Sequence, residues 1–498
     1  LAAAKDSETS LMITAYAGCA KTSTLVMLCE ALDPAPTLAL AFNVKIRKEL
    51  EKKLPNYVKV MTLNGLGHMA WCRARQGTTI TLDDKKIGKI VSGLLKARGG
   101  EQAEGEWDLL RRLISAAQQS GVVPSSYPQQ GLLPDRPETW ADLIEEDPGP
   151  EQIELAREGL RQSVALAFQG QICFDDQIYM STLFGGQFPR FGRVFVDEAQ
   201  DLSPLNHLEV KATAGGRLFV VGDPKQAIYA FRGADSKSMD KLRRLRRDWV
   251  DLPLATTFRC PSVVAQRQQT HAPGFQAWKT NPLGQFLNWV KPKGAEGGAW
   301  SWESLRAAHP GQIAILCRNN APLMSMALQL LRKGVGVQML GRDIGKTLVA
   351  LAKKILPQVD LGAEACQEAI ETWAEREISL ARANEREHKV SGIMDRRDCL
   401  LAVLEFGPCL TANALLATLV ELFSREHGQV ILATGHGAKG LEFDVVLHLD
   451  PWRIPSKYAR AAAAEGQRDQ LEQELNLRYV IETRAKQVLV QASLEDFQ

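Results

Sequence analysis

The chain has 498 residues, 45 % apolar and 24 % charged, a profile that excludes disorder as the default reading. Sixty lysines and arginines stand against 58 acids, a net charge of +2, so a nucleic-acid surface would have to be a local basic patch. No run approaches the roughly 18 apolar residues of a membrane span. No secretory leader is read at the N-terminus. The nine cysteines are scattered without a CxxC pair, which argues against a disulfide framework or a zinc site and for reduced intracellular thiols. The chain begins at Leu1 and not at a methionine, as expected where residues ahead of it are missing.

At about 150 residues per domain the length suggests roughly three compact units. Along the chain, Leu11–Ala15 is a short apolar run, Tyr16–Ala20 a loop of small residues, and Lys21–Leu32 a helix ended by Asp33-Pro34. Thr37–Phe42 is a second apolar run, followed by a charged helix over Val44–Leu54. Strands alternating with helices at this spacing predict a parallel α/β sheet. Residues 68–168 are mostly helical and polar, broken by Gly99-Gly100 and by the proline-rich stretch 124–150. Strands resume at Arg193–Val196 and Arg217–Val221, then at Gln312–Cys317, Val430–Ala433, Val445–Leu449 and Val488–Gln491. Helical patterning returns over 346–427, and Ala461–Ala464 fits a helix or a linker. The pattern predicts two α/β units, each interrupted by a helical insertion.

Three constellations carry chemistry. Ala15-Tyr16-Ala17-Gly18-Cys19-Ala20-Lys21-Thr22 lies between a strand and a helix start, where backbone N–H groups can cradle anionic oxygens. Lys21 would reach the β- and γ-phosphates and the Thr22 hydroxyl would hold Mg²⁺. Ala20 stands where glycine is usual, and a Cβ in a left-handed backbone costs on the order of 1 kcal/mol. Alone, the segment fits an ordinary strand–turn–helix equally well. The second constellation, Val194-Phe195-Val196-Asp197-Glu198-Ala199-Gln200-Asp201, is a buried strand ending in paired acids. Asp197 could bind the Mg²⁺ that Thr22 sees, and Glu198 could polarise an attacking water. A solvated acidic turn is the simpler account of the pair alone, but Lys21-Thr22 upstream favours the phosphate site. The third runs from Val220 to Ala234: Gln226 could touch the γ-phosphate or the attacking water, and Phe231-Arg232 could stack a base and pair a phosphate. An isolated Phe-Arg would more simply be a core ring and a surface cation.

With these motifs in this order, the sequence resembles the UvrD/Rep/PcrA-like group of superfamily 1 helicases. The distinctive segments are 197–201 (DEAQD), 222–235 (GDPKQAIYAFRGAD), Thr434–Asp444 and Leu477–Lys486. Leu40–Asn43 and Thr62–Leu66 are similar to the family's early DNA-contacting motifs, and Thr257–Pro261 to its tyrosine–arginine motif, with Phe258 for the tyrosine. The resemblance implies an α/β fold of two RecA-like parallel-sheet P-loop domains, each with a helical insertion. The first would comprise 1–67 and 169–255 around an insertion at 68–168. The second would comprise 256–345 and 428–498 around a short insertion at 346–427.

The resemblance also implies roles. ATP and Mg²⁺ are the implied cofactors. Ala17, Gly18, Cys19, Ala20, Lys21, Thr22 and Ser23 would line the phosphates, with Thr22 and Asp197 on the metal. Glu198 and Gln226 would act on the attacking water, Arg259 and Arg484 would be arginine fingers, Phe258 would stack on adenine and Glu442 would bind ribose. Asn43, Thr62, Asn64, Phe231, Arg232 and His436 would contact single-stranded DNA. His436 alone reads as a surface histidine; its place two residues after Thr434 and three before Lys439 carries the assignment.

The sequence departs from the family at Ala20, at Ser23 where an arginine often packs on adenine, at Asn64-Gly65 where His-Ser is usual, and in having no glutamine upstream of the phosphate loop. The implied activity is ATP-driven movement on single-stranded DNA, 3′→5′, with unwinding at duplex junctions, inside the cell and away from membranes, alongside replication or repair proteins. A translocase that strips proteins from DNA and a nucleotide-impaired DNA-binding subunit are the alternatives. The motifs run to residue 486, which leaves no room for a C-terminal nuclease within the chain. Lys241–Arg247 reads as a solvated helix face in preference to a phosphate patch. Trp278, Trp289, Trp300 and Trp302 read as packing or loop anchors in preference to stacking platforms.

Overall fold

Alternation along the predicted strands determines how the first sheet is covered. Leu11, Ile13 and Ala15 pack with Phe195, Phe219 and Val221 in one buried cluster, while Met12 packs with Val194, Val196, Leu218 and Val220 in another. Successive side chains of a strand point to opposite faces, so a parallel sheet with apolar residues at every position must be covered on both. The computed structural model describes residues 2–5, 9–99, 105–144, 146–228, 237–290, 300–356, 358, 360–384 and 386–497. The chain divides into two compact units, Leu1–Ala255 and Thr256–Gln498.

In the first unit the strands are β1 (Ser10–Ala15), β2 (Thr37–Ala41), β3 (Val58–Thr62), the short pair β4 (Thr81–Leu82) and β5 (Gln171–Ile172), β6 (Phe191–Val196), β7 (Ala214–Gly222) and β8 (Trp249–Leu254). Six of them form one sheet in the order β3-β2-β6-β7-β1-β8, every pairing parallel. Leu11 and Met12 sit in register with Phe219 and Val220. At the centre the Phe195 and Phe219 rings stack, centroids 4.4 Å apart and 9° from parallel.

The helices Lys86–Arg98, Glu106–Ser120 and Pro150–Phe168 build a separate core around Trp71, Leu110, Ile114, Trp140, Leu160 and Tyr179. A buried ion pair ties this core to the helix Asp176–Leu183: Lys86 Nζ lies 2.6 Å from Asp176 Oδ2 and also donates to the Ser163 carbonyl at 2.7 Å. The helix Leu63–Ala74 crosses that helix at Gly67, where a Cβ would collide with the Gln177 carbonyl and stand 2.8 Å from Glu209 Oε1.

In the second unit, β9 (Thr256–Thr257) pairs with β10 (Gln276–Ala277). The main strands are β11 (Gln285–Asn288), β12 (Ile313–Cys317), β13 (Val337–Met339), β14 (Val430–Thr434), β15 (Phe443–Leu449) and β16 (Ala485–Ala492), in the order β11-β16-β15-β12-β14-β13 and again all parallel. Between β13 and β14 run the helices Arg342–Ile355, Ala363–Ala383, Glu387–Phe406 and Ala412–Ser424, which share one core with the sheet through Leu348, Ile370, Leu400 and Leu415. Ala461–Ala464 lies in the helix Lys457–Ala464.

Glu209, fully buried on the helix Pro204–Thr213, generates a pH prediction. Burial pushes its carboxyl well above the usual range, with only the Asn206 side-chain hydrogen bond opposing. The folded protein therefore keeps a proton that the unfolded chain releases in the ordinary carboxylate range. Stability should fall as pH rises through that window toward the folded-state value. Glu209→Gln should flatten this part of the pH profile, read by denaturation at about pH 5 and about pH 8; an unchanged slope would contradict the assignment.

Candidate functional site

The phosphate-loop segment leaves β1 and turns sharply before the helix Lys21–Ala31. Tyr16 N–H donates to the Leu254 carbonyl at 3.1 Å, and Cys19 N–H to the Tyr16 carbonyl at 3.1 Å. Gly18 (φ 71°) and Ala20 (φ 59°) both adopt positive φ. Ala20 is the N-cap and offers no capping side chain, so the first turn's N–H groups face the loop as an anion cradle. The backbone keeps the left-handed conformation there despite the Cβ.

Around Lys21 the ends of three strands converge at the carboxyl edge of the sheet. Its Nζ lies 2.8 Å from Glu198 Oε2. Burial disfavours the ammonium, but Glu198, Asp223 and Asp197 outweigh that penalty and hold its pKa above the usual lysine value. Asp197, at the end of β6, is pushed up to about 7 by burial and then by Glu198, against the pull of Lys21. Asp223, after β7, is raised by burial, with Lys21 and the Gln226 side chain opposing. Gln226 Nε2 donates to Asp223 Oδ2 at 2.6 Å. Gln200 was passed over in the sequence reading although it stands inside the DEAQD string. Its Nε2 donates to Glu198 Oε2 at 2.7 Å and its Oε1 accepts from Asp223 N–H at 2.9 Å, bridging β6 to β7.

Three carboxylates thus surround one ammonium, an arrangement whose negative excess suits a hard divalent cation. Among the described residues no group of three His, Cys, Asp or Glu side chains could hold a metal unaided. Mg²⁺ takes one or two protein oxygens and completes its shell with water and phosphate. Thr22 and Asp197 would be those protein ligands.

In the second unit, Arg259 Nε is 2.7 Å from Glu442 Oε2. Arg484 is 1 % exposed; its Nε donates to the Val480 carbonyl at 2.9 Å and its Nη1 to the Leu441 carbonyl at 3.3 Å. Cys260 Sγ lies 3.5 Å from the Thr483 carbonyl, so the two arginine-bearing turns are joined. Phe258 is exposed beside them. Trp300 and Trp302 are buried, as anchors should be, but Trp278 is not: it is 41 % exposed and its ring rests on Phe258. The anchor reading misses this because Trp278 is held by its backbone at the end of β10, with its ring left outward.

The nucleic-acid candidates of the first unit sit at helix starts. Asn43 Oδ1 accepts from Ile46 N–H at 2.9 Å, and Thr62 Oγ1 from Gly65 N–H at 3.1 Å, both as N-caps. Asn64 Nδ2 donates to the Phe174 carbonyl at 3.2 Å. A groove of about 300 Å³ lies here, lined among others by Phe42, Asn64, Phe174, Asp175, Ile178 and Asp201. Phe42 and Phe174 are 40 % and 58 % exposed. Phe42 stands within the Leu40–Asn43 segment compared above with a DNA-contacting motif, whereas no motif marks Phe174. His436 follows β14, half-buried, while Thr434 Oγ1 accepts from Gly437 N–H at 3.2 Å. Phe231 and Arg232 lie outside the described residues. In the Lys241–Arg247 run, Arg243 pairs with Asp251 and Arg246 with Asp248, as a solvated surface would.

Two parallel sheets, one of them carrying a phosphate loop opposite paired acids, define a pair of RecA-like domains. Residues 152–245 match the model of the UvrD/REP helicase N-terminal domain, and residues 382–495 that of the UvrD-like helicase C-terminal domain. The chain is 23 % identical over 519 residues to F-box DNA helicase protein 1 of Schizosaccharomyces pombe, covering 96 % of this chain and 55 % of that protein. It is 28 % identical over 331 residues to ATP-dependent DNA helicase UvrD2 of Mycobacterium bovis (60 % and 46 % covered). With DNA helicase II of Escherichia coli it shares 23 % identity over 272 residues (50 % and 35 % covered). Both matched models are of the UvrD/Rep type, and these matches support a UvrD/Rep-like superfamily 1 helicase. The chain spans about half the length, or less, of these curated relatives.

Ala20 generates a stability prediction. Ala20→Gly should relieve about 1–2 kcal/mol of left-handed strain and lose about 0.4–1 kcal/mol through the freer unfolded chain. The net change should be stabilising by up to about 1.6 kcal/mol, measured by denaturant unfolding of the full chain; a loss of stability would mean that the alanine is unstrained.

Proposed function

We propose that the chain is an ATP-driven motor on single-stranded DNA, moving 3′→5′ and opening duplex junctions. The observation that carries the reading is the charge cluster of Lys21, Asp197, Glu198 and Asp223, tied together by Gln200 and Gln226. Its ion pair holds Lys21 and Glu198 in check until phosphate oxygens draw the ammonium away. Glu198 is then free to accept a proton from the attacking water, with Gln226 orienting that water. Mg²⁺ on Thr22 and Asp197 would neutralise the phosphate charge. Arg259, released from Glu442, and Arg484, released from its carbonyl partners, would stabilise the charge that develops in the transition state.

On the DNA side, Asn43, Thr62 and His436 would meet the backbone, and Phe231 and Arg232 a base and a phosphate. Asn64 acts by holding the Phe174 loop, and Phe42 and Phe174 offer faces on which unstacked bases rest. Residues 68–168 and 346–427 would be the insertions of two domains spanning 1–67 with 169–255 and 256–345 with 428–498. The first insertion is suited to split the fork. Single-stranded DNA, its junctions with duplex, and replication or repair proteins are the partners of this reading, which places the chain inside the cell. Among the described residues no helix is long and apolar enough to cross a membrane. Protein displacement without processive unwinding is the same motor with a weaker fork contact. The nucleotide-impaired reading loses support because Ala20 takes the backbone conformation a glycine would.

The test is ATP hydrolysis with and without single-stranded DNA. DNA should stimulate the wild type, and Glu198→Gln should lower kcat by about 10²-fold or more. A 3′-tailed duplex should be opened in preference to a 5′-tailed one. Hydrolysis indifferent to DNA and to Glu198→Gln would remove the proposal.

A further inference from the structure

The turn that carries Glu198 is strained, and one of its anchors lies outside the residues that bear the chemistry. Glu198 has φ 48° and ψ 43°, the left-handed region, where a residue other than glycine persists only if its surroundings fix it. Two bonds are internal to the turn: Glu198 N–H donates to Asp197 Oδ1 at 2.9 Å, and Asp201 N–H to the Glu198 carbonyl at 3.0 Å. Another comes from 39 positions along the chain, where the Ser238 hydroxyl donates to the Ala199 carbonyl. Ser238 is buried at the start of the helix Ser238–Arg243, whose Met239 and Leu242 pack with Ala199 and Leu202 in one apolar cluster.

A serine hydroxyl has one hydrogen. The Ala199 carbonyl takes it, so at the second contact, 2.9 Å from His207 Nε2, Oγ must accept and the imidazole must donate. His207 is itself buried on the helix Pro204–Thr213, so ring and hydroxyl hold each other in place. The anchored carbonyl belongs to the peptide between Ala199 and Gln200. Fixing that plane fixes the direction in which the chain leaves Glu198. It also fixes the root of the Gln200 side chain, whose Nε2 donates to Glu198 Oε2 at 2.7 Å. A general base must stay within hydrogen-bond reach of the proton it takes, and small misplacements are costly to rate. Lys21 draws its charged partners from Glu198, Asp223 and Asp197, and Ser238 is not among them.

We propose that Ser238, oriented by His207, is a positioning residue that holds the Glu198 carboxylate where it can polarise the attacking water. The inference rests on the ATP-hydrolysis reading above and concerns the first unit alone. It is tested by ATP hydrolysis at saturating single-stranded DNA with wild type, Ser238→Ala, Glu198→Gln and the double variant. Loss of one hydrogen bond to the turn should lower kcat roughly threefold to tenfold, with KM for ATP no higher than in the wild type. Residues that act through one group are not additive. On the Glu198→Gln background the same substitution should therefore change kcat by less than about twofold. A general loosening of the fold would instead lower kcat by the same factor on both backgrounds.

Wild-type kcat in Ser238→Ala beside a slow Glu198→Gln would overturn the inference and leave the hydrolysis reading standing. Equal losses on the two backgrounds would do the same. Wild-type kcat in Glu198→Gln would remove the hydrolysis reading, and the inference with it. Should Ser238→Ala not fold, His207→Phe deletes the donor and keeps a ring in its place. Its kcat should fall roughly twofold or more, again only while Glu198 is present, and an unchanged kcat would overturn the inference.

Discussion

A lysine ammonium taken out of water among three carboxylates is the constraint on which the first unit is built. Lys21 is held 2.8 Å from Glu198, with Asp197 and Asp223 close enough to raise its pKa against the burial penalty. A buried charge of this kind is tolerated only when its partners are positioned accurately. Asp197 and Glu198 follow β6, Asp223 follows β7 and Lys21 follows the loop after β1, so the order β6-β7-β1 is what makes the cluster possible. Gln200 and Gln226 spend their amides on fixing the carboxylates. Burial and the neighbouring Glu198 charge push the Asp197 pKa up, a crowding of negative charge that an added cation would relieve.

The second unit repeats the sheet with a different purpose. Its loops carry arginines in place of a phosphate loop, and those arginines rest on internal partners: Arg259 on Glu442, and Arg484 on backbone carbonyls. The Cys260–Thr483 contact joins the two turns, so a displacement of one is felt by the other. In both units, then, these charges are held by neighbours within the same unit.

How much of this was legible in the sequence depends on burial. The eight strands interior to the two sheets were visible as apolar runs, because a strand covered on both faces carries several consecutive apolar residues even where a polar one interrupts it. The four edge strands β3, β8, β11 and β13 escaped notice. Val-Lys-Val-Met-Thr in β3 alternates with a lysine, and β8 carries Pro253, which an edge tolerates and an interior strand does not. At the site, residues inside contiguous motifs were found by spacing: Lys21 and Glu198 are 177 positions apart, and the motif order brought them together before the fold did. Gln200 and Phe174 carried no assignment, Phe42 stood unassigned inside Leu40–Asn43, and Trp278 reads as an anchor in sequence. Their importance lies in orientation, a bridging amide in one case and outward-facing rings in the others, and no residue type or spacing encodes orientation.

The central claim is that phosphate competes with Glu198 for the Lys21 ammonium. Equilibrium ATP–Mg²⁺ binding, by titration calorimetry on wild type, Lys21→Ala and Glu198→Gln, tests it most directly. If the claim holds, Glu198→Gln binds more tightly than the wild type, because its lysine has lost its ion-pair partner and a negative charge facing the phosphates is gone, while Lys21→Ala binds far more weakly. Equal or weaker binding by Glu198→Gln would contradict it.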